Sequence, residues 1–152
     1  MVQAAPAQTE KYQAKTFQVR TPLMKQGRLD TVLADTDMMQ IRVKCYAEGG
    51  ENALHTHLAE DHTFVILQGR ARFYDRSGVT AELGRNEGIL LPRGAFYKFE
   101  SCGEEPLVLF RVGARHPNIK HERVDIEGAP LPGGSIDNGY VTPIVLEGAF
   151  YE

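Results

Sequence analysis

From Leu29 onward the chain breaks into short runs in which apolar and polar residues alternate. Ile41, Val43 and Cys45 alternate with Arg42 and Lys44, the period of two that a strand shows when one face is buried and the other wet. Further strand-like runs cover His62–Leu67, Arg70–Tyr74, Gly88–Leu91, Tyr97–Ser101 and Leu107–Val112, separated by Gly69, Ser77-Gly78, Pro92-Arg93-Gly94 and Gly103. Apolar residues recur at helical spacing over no more than two turns, so long helices are not expected. Many short strands with regular turns predict an all-β sandwich or barrel. Residues 1–28 read as a leader or an extra strand, 29–112 as the barrel, and 113–152 as a Gly- and Pro-rich tail. That tail keeps apolar residues at Val141–Leu146 and Phe150-Tyr151, so it is expected to wrap onto the body or onto a second subunit.

Composition narrows the class of function. The 152 residues suit one compact domain. Lys plus Arg number 17 against 20 Asp plus Glu, a net charge of -3, and no long basic run breaks that balance. Nucleic acid is therefore not an expected partner. The longest uncharged apolar stretch, Phe64–Leu67, falls far short of the roughly 20 residues of a membrane helix, so no membrane partner is expected either. The start Met1-Val2-Gln3-Ala4-Ala5-Pro6 has neither a basic opening nor an apolar run, which makes the cytoplasm the expected location. Cys45 and Cys102 are too few for a disulfide framework or a thiolate zinc site and read as small core residues.

The chemistry concentrates in one segment, His55-Thr56-His57-Leu58-Ala59-Glu60-Asp61-His62. On a strand His55 and His57 project to the same face. Leu58–Asp61 then form a reversal, and His62 opens the next strand, able to return its ring to that side. Three imidazoles on one face suit iron, with Mn, Ni, Zn or Cu as alternatives, and leave positions open for water, substrate or dioxygen. Burying three imidazoles without a metal or many hydrogen-bond partners is costly, which favours the metal reading. Glu60 and Asp61 read first as solvated turn residues, with binding of an ion as the second reading if the turn bends inward, and His116 and His121 read as surface residues. Arg42, Arg72 and Arg111 are candidate anchors for a substrate carboxylate, Arg111 foremost because Leu107 and Leu109 share its parity.

These residues resemble the cupin family, whose first motif reads Gly-x5-His-x-His-x4-Glu-x6-Gly. Gly49, His55, His57 and Gly69 match it, with His62 at the position of the family's Glu. The second motif, Gly-x5-Pro-x-Gly-x2-His, is recognisable in Pro92, Gly94 and Tyr97, with Asn86 in place of the first Gly and Tyr97 in place of the His ligand. The resemblance covers about residues 29–112. It implies a double-stranded β-helix, or jelly-roll, barrel that holds one divalent or trivalent transition metal and a small-molecule substrate in its mouth. It also implies a homodimer, to which the apolar tail would contribute.

Lys98 and Glu100 should point to water, which sends Tyr97 and Phe99 inward. Tyr97 then has three readings: a phenolate ligand beside His55, His57 and His62, an acid that hydrogen-bonds a metal-bound water or substrate oxygen, or an aromatic core filler. The leading function is a metal-dependent enzyme on a small anionic substrate, dioxygenase-like, with a three-His site. A Lewis-acid isomerase or lyase, a non-catalytic metal- or ligand-binding module and a metal-free epimerase-type cupin are the alternatives.

Overall fold

The structure is a computed structural model and describes residues 12–152; the leader expected over residues 1–28 lies outside it as far as residue 11. Twelve strands follow in order: β1 (Thr21–Gln26), β2 (Arg28–Asp35), β3 (Met39–Tyr46), β4 (His55–His57), β5 (Glu60–Gln68), β6 (Ala71–Asp75), β7 (Gly78–Leu83), β8 (Gly88–Leu91), β9 (Lys98–Ser101), β10 (Leu107–Arg115), β11 (Arg123–Asp125) and β12 (Ile144–Tyr151). One five-stranded sheet has the order β2-β3-β10-β5-β8. The opposite wall is built from β7-β6-β9 and from β11-β4, joined where His55 and Tyr97 form an antiparallel bridge. This is the all-β barrel that the alternating pattern predicts, in the double-stranded β-helix form that the resemblance implies. None of the helices among the described residues is long and apolar enough to cross a membrane.

The two walls close on an aromatic core. Tyr46, Phe64, Ile66, Leu107 and Leu109 from the five-stranded sheet meet Phe73, Tyr97 and Phe99 from the other side. Ring centroids lie 4.8 Å apart for Tyr46 and Phe99, 5.3 Å for Phe64 and Phe99, and 5.0 Å for Phe73 and Phe99, the spacing at which tilted aromatic pairs attract. A second cluster, Met24, Val43, Cys45 and Val108, covers the outer face of the five-stranded sheet, with Leu23 and Tyr151 packed against it. Strands β3 and β10 are therefore buried on both faces. Cys45 is a core residue, as read from sequence, whereas Cys102 is only half-buried.

Alternation in β3 thus takes an inverted meaning. Val43 and Cys45 face the outer layer, while Arg42 and Lys44 line the barrel interior rather than bulk water. Deeper in the barrel the interior is apolar, and towards one end it turns polar, which sets where chemistry can occur.

The turn before β8 carries the second departure from the family motif. Asn86, at the position of the resembled motif's first glycine, has φ 67°, a left-handed conformation that asparagine tolerates far better than most side chains. Asn86→Gly is expected to hold stability within about 0.5 kcal/mol, whereas the β-branched Asn86→Val costs about 1–3 kcal/mol. Urea denaturation of the two variants checks this, and equal midpoints would remove the backbone argument.

Candidate metal centre

The open end of the barrel is a cavity of about 180 Å³ whose walls include Asn52, His55, His57, Glu60, His62, Tyr97, Arg111, His121 and Arg123. His55 and His57 flank Thr56 on β4, so their rings share a face, with centroids 5.2 Å apart. Along β5 the buried positions are Glu60, His62, Phe64 and Ile66, so the carboxylate enters on the same side as the imidazole. The His62 ring lies 4.2 Å from that of His57. Ligand atoms of His57, Glu60 and His62 all lie within 4.8 Å of one another. The structure thus groups His57 and His62 with Glu60, whose first reading from sequence is a solvated turn residue.

Glu60 is not a solvated turn residue: it is the first residue of β5 and only 2% exposed. Its Oε2 lies 2.7 Å from His121 Nε2, 2.9 Å from His62 Nε2, 3.1 Å from Arg111 Nη2 and 3.7 Å from His57 Nδ1. Asp61, half-buried, instead accepts a hydrogen bond from the Arg93 N–H at 2.7 Å and ties the second motif's turn to the first. Gly113 makes the Glu60 contacts possible. It pairs with His62 in the sheet register, and a Cβ there would stand 2.5 Å from Glu60 Oε1 and 2.9 Å from Arg111 Nη2. A glycine inside a strand often marks such a close approach.

His55 and Tyr97 sit beside the group. The His55 Nδ1–H donates to the Ala53 carbonyl at 2.7 Å, which leaves Nε2 as its lone-pair atom. Tyr97 faces inward at 5% exposure, as the alternation predicts, with its hydroxyl 3.1 Å from His62 Nδ1. Its oxygen therefore lies against the back of the His62 ring, opposite the nitrogen that meets Glu60. Burial pushes the phenol's pKa well above its ordinary value.

Of the three arginines considered, Arg111 and Arg42 line the cavity, and Arg72 lies on the surface with Glu82. His116 accepts a hydrogen bond from the Asn118 backbone. His121 is exposed over half of its side chain, yet its Nε2 reaches Glu60, so it is a residue of the cavity mouth rather than of the open surface.

Three observations fit a cation to this group. His57 Nδ1 and Glu60 Oε1 are buried with no hydrogen-bond partner. His62 Nε2 touches both the Glu60 carboxylate, which only accepts, and Arg111 Nη2, which only donates, so neither tautomer satisfies both. Two imidazoles and a carboxylate are also a donor set that binds divalent transition metals. The His57–Glu60–His62 cluster can hold a metal ion.

A family profile described as "Cupin domain" matches residues 42–113, the stretch from β3 through β10 that supplies all three donors. That stretch is a cupin domain. Among solved structures, the cupin domain of Schizosaccharomyces pombe Cnp3 superposes with a TM-score of 0.55 at 19% identity, over 60% of this chain and 67% of that one. A conserved Klebsiella pneumoniae protein with a double-stranded β-helix domain gives 0.55 at 21% identity, over 64% and 84%. KdgF from a Halomonas species gives 0.52 at 16% identity, over 59% and 81%. At these identities the likeness is one of fold. No match is found among curated protein sequences. Glu60 stands two residues before the position that the motif gives to Glu, on the same strand face as His62.

Burial holds the imidazoles neutral. It pushes His55 from its ordinary 6.5 to about 3 and His62 to about 4, and drives His57 down as well. For Glu60, burial works to raise the carboxyl, but the His62 hydrogen bond and the Arg111 charge outweigh it and hold it below its ordinary 4.5. An imidazole that stays neutral in the fold takes its proton only on unfolding, so acidification between 6.5 and about 4 favours the unfolded chain. A carboxylate held ionised adds a loss of stability in the same direction at lower pH. In chelator-treated protein, stability is expected to fall as pH drops through 6.5 towards about 4, and His62→Gln is expected to flatten that slope. Urea denaturation across pH measures both, and an unchanged slope would remove His62 from this account.

Proposed function

We propose that this cupin is a metal-dependent enzyme acting on a small anionic organic molecule, with His57, Glu60 and His62 as metal ligands. The carrying observation is the convergence of those three donors at the open end of a barrel whose cavity also carries Arg42, Lys44, Arg111 and Arg123. A bound ion supplies Lewis acidity or, as iron, oxidation with dioxygen; two imidazoles and one carboxylate leave positions open for either. The oxygenase reading with iron comes first because that donor set suits ferrous iron.

The chain's own residues have separable tasks. With its Nε2 lone pair turned to a cation, His62 carries its proton on Nδ1 and donates it to the Tyr97 oxygen, which fixes the ring's orientation. Tyr97 is thereby a positioning residue. Arg111 neutralises Glu60 when no other cation does so and keeps its carboxylate aimed at the two imidazoles. His121, at the mouth, hydrogen-bonds the same oxygen and narrows the entrance. The aromatic floor of Phe64 and Phe99 keeps water out from below.

Isothermal titration of chelator-treated protein with Zn²⁺, Mn²⁺ and, anaerobically, Fe²⁺ is expected to give one site per chain. His57→Ala and Glu60→Gln should abolish it, while Tyr97→Phe weakens it about 10–100-fold, the usual cost of losing a partner behind a ligand. Full affinity in Glu60→Gln would overturn the ligand set. Oxygen uptake by the iron-loaded protein with small organic acids then separates oxidation from Lewis-acid chemistry with Zn or Mn.

We propose in addition that the chain forms a homodimer. Among the described residues strand β12 pairs only with β1, and Ile144, Val145, Leu146 and Phe150 along it are exposed. An unpaired edge with apolar side chains favours a second copy. Val145→Asp is expected to shift the mass measured by light scattering from dimer to monomer, and an unchanged dimer would exclude this strand from the interface.

A further inference from the structure

The cavity carries more positive charge than its own carboxylates match. Arg42, Lys44, Arg111 and Arg123 line it against Asp30 and Glu60, an excess of two. Asp30 takes Arg42 Nη1 and Lys44 Nζ, both at 3.0 Å, and Glu60 takes Arg111 Nη2 at 3.1 Å. Arg123 donates from Nε to the Leu131 carbonyl at 2.9 Å and has no carboxylate partner among the described residues. Two guanidinium nitrogens, Arg111 Nε and Arg123 Nη2, are buried with no hydrogen-bond partner. Arg111 is itself only 5% exposed. Unmatched charged donors in a buried space are costly to the folded chain, and an anion relieves that cost by supplying both charge and acceptors. Burial also pushes the Lys44 ammonium down to about 8 despite Asp30, with Arg111 and Arg42 adding to the fall, as expected where cations crowd one another.

Arg111, whose Nε lacks a partner although its Nη2 meets Glu60 and His62, and Arg123, whose Nη2 lacks one, indicate by their placement the shape of that anion. Arg111 stands on β10 in the five-stranded sheet, and Arg123 on β11, beside the histidine strand of the other wall. A phosphate brings its charges to one point, whereas donors on two walls are answered by a molecule charged at both ends. The guanidinium fork suits carboxylates in particular. A cavity of about 180 Å³ lies below the roughly 300–1,000 Å³ of sites for drug-sized ligands, so the molecule has few carbons.

We propose that the cavity binds a short dicarboxylic acid, one carboxylate on Arg111 and the other on Arg123. This rests on the reading of the cavity as a substrate site and not on the metal within it.

Isothermal titration of the chelator-treated full chain with malonate and succinate, beside acetate and inorganic phosphate, tests it. One dicarboxylate is expected to bind at least about tenfold more tightly than acetate or phosphate, with affinity falling as salt rises. Arg123→Gln should weaken it about 10–100-fold with the folded β-sheet signal in circular dichroism retained, and Arg111→Lys, which keeps the charge beside Glu60 but loses the fork, should weaken it too. Acetate or phosphate binding as tightly as both dicarboxylates, no binding of either at millimolar concentration, or wild-type affinity in Arg123→Gln would overturn the proposal. Because no metal is present, dicarboxylate binding in a chain that fails to take Zn²⁺ supports this inference while ending the metal reading. Zn²⁺ uptake without dicarboxylate binding does the reverse.

Discussion

A carboxylate taken out of water must find positive charge or lose its own, and the open end of this barrel is organised around that requirement. Glu60 is nearly inaccessible, yet its charge is retained because Arg111, His62 and His121 converge on one oxygen. Removing any one of these partners would leave a buried charge poorly matched, a far larger effect than the loss of a surface ion pair. Even the absence of a side chain at Gly113 belongs to this constraint, since a methyl group there would occupy the space in which carboxylate and guanidinium meet.

The same requirement explains why the barrel has two chemically different halves. Towards the closed end, Phe64, Phe73, Phe99 and the leucines of β10 fill the interior with rings and branched chains, which removes water and stiffens the floor. Towards the open end, the strands carry ionisable groups in the next inward positions: Phe64 is followed by His62 and Glu60 on β5, and Leu109 by Arg111 on β10. Each strand thus passes from core to site within one or two inward residues. The rigid floor sets the ring positions of the site above it.

The C-terminal stretch takes part in both layers. Its β11 pairs with the histidine strand and brings Arg123 opposite His57, and the segment just before it delivers His121 to Glu60. Its last strand, β12, pairs with β1, while Tyr151 packs against the cluster that covers the outer face of β3 and β10. Burial of that outer face is what permits Arg42 and Lys44 to point into the barrel without exposing Val43 and Cys45.

Strand periodicity, turn glycines and the spacing of His55, His57, His62 and Gly69 are local properties, and they were enough to establish an all-β barrel with a histidine-lined mouth and an inward Tyr97. The parity that places Tyr97 inward also puts Glu60 on the face of His62, because β5 begins at Glu60, inside what reads locally as a turn. The side of β3 that faces the lumen was not legible, because alternation distinguishes two faces without saying which one a second layer will cover. His121 and Arg123 left no local signal at all. They reach the cavity through the pairing of β11 with a strand more than sixty residues earlier, and only closure of the tertiary structure brings such distant groups within hydrogen-bonding range.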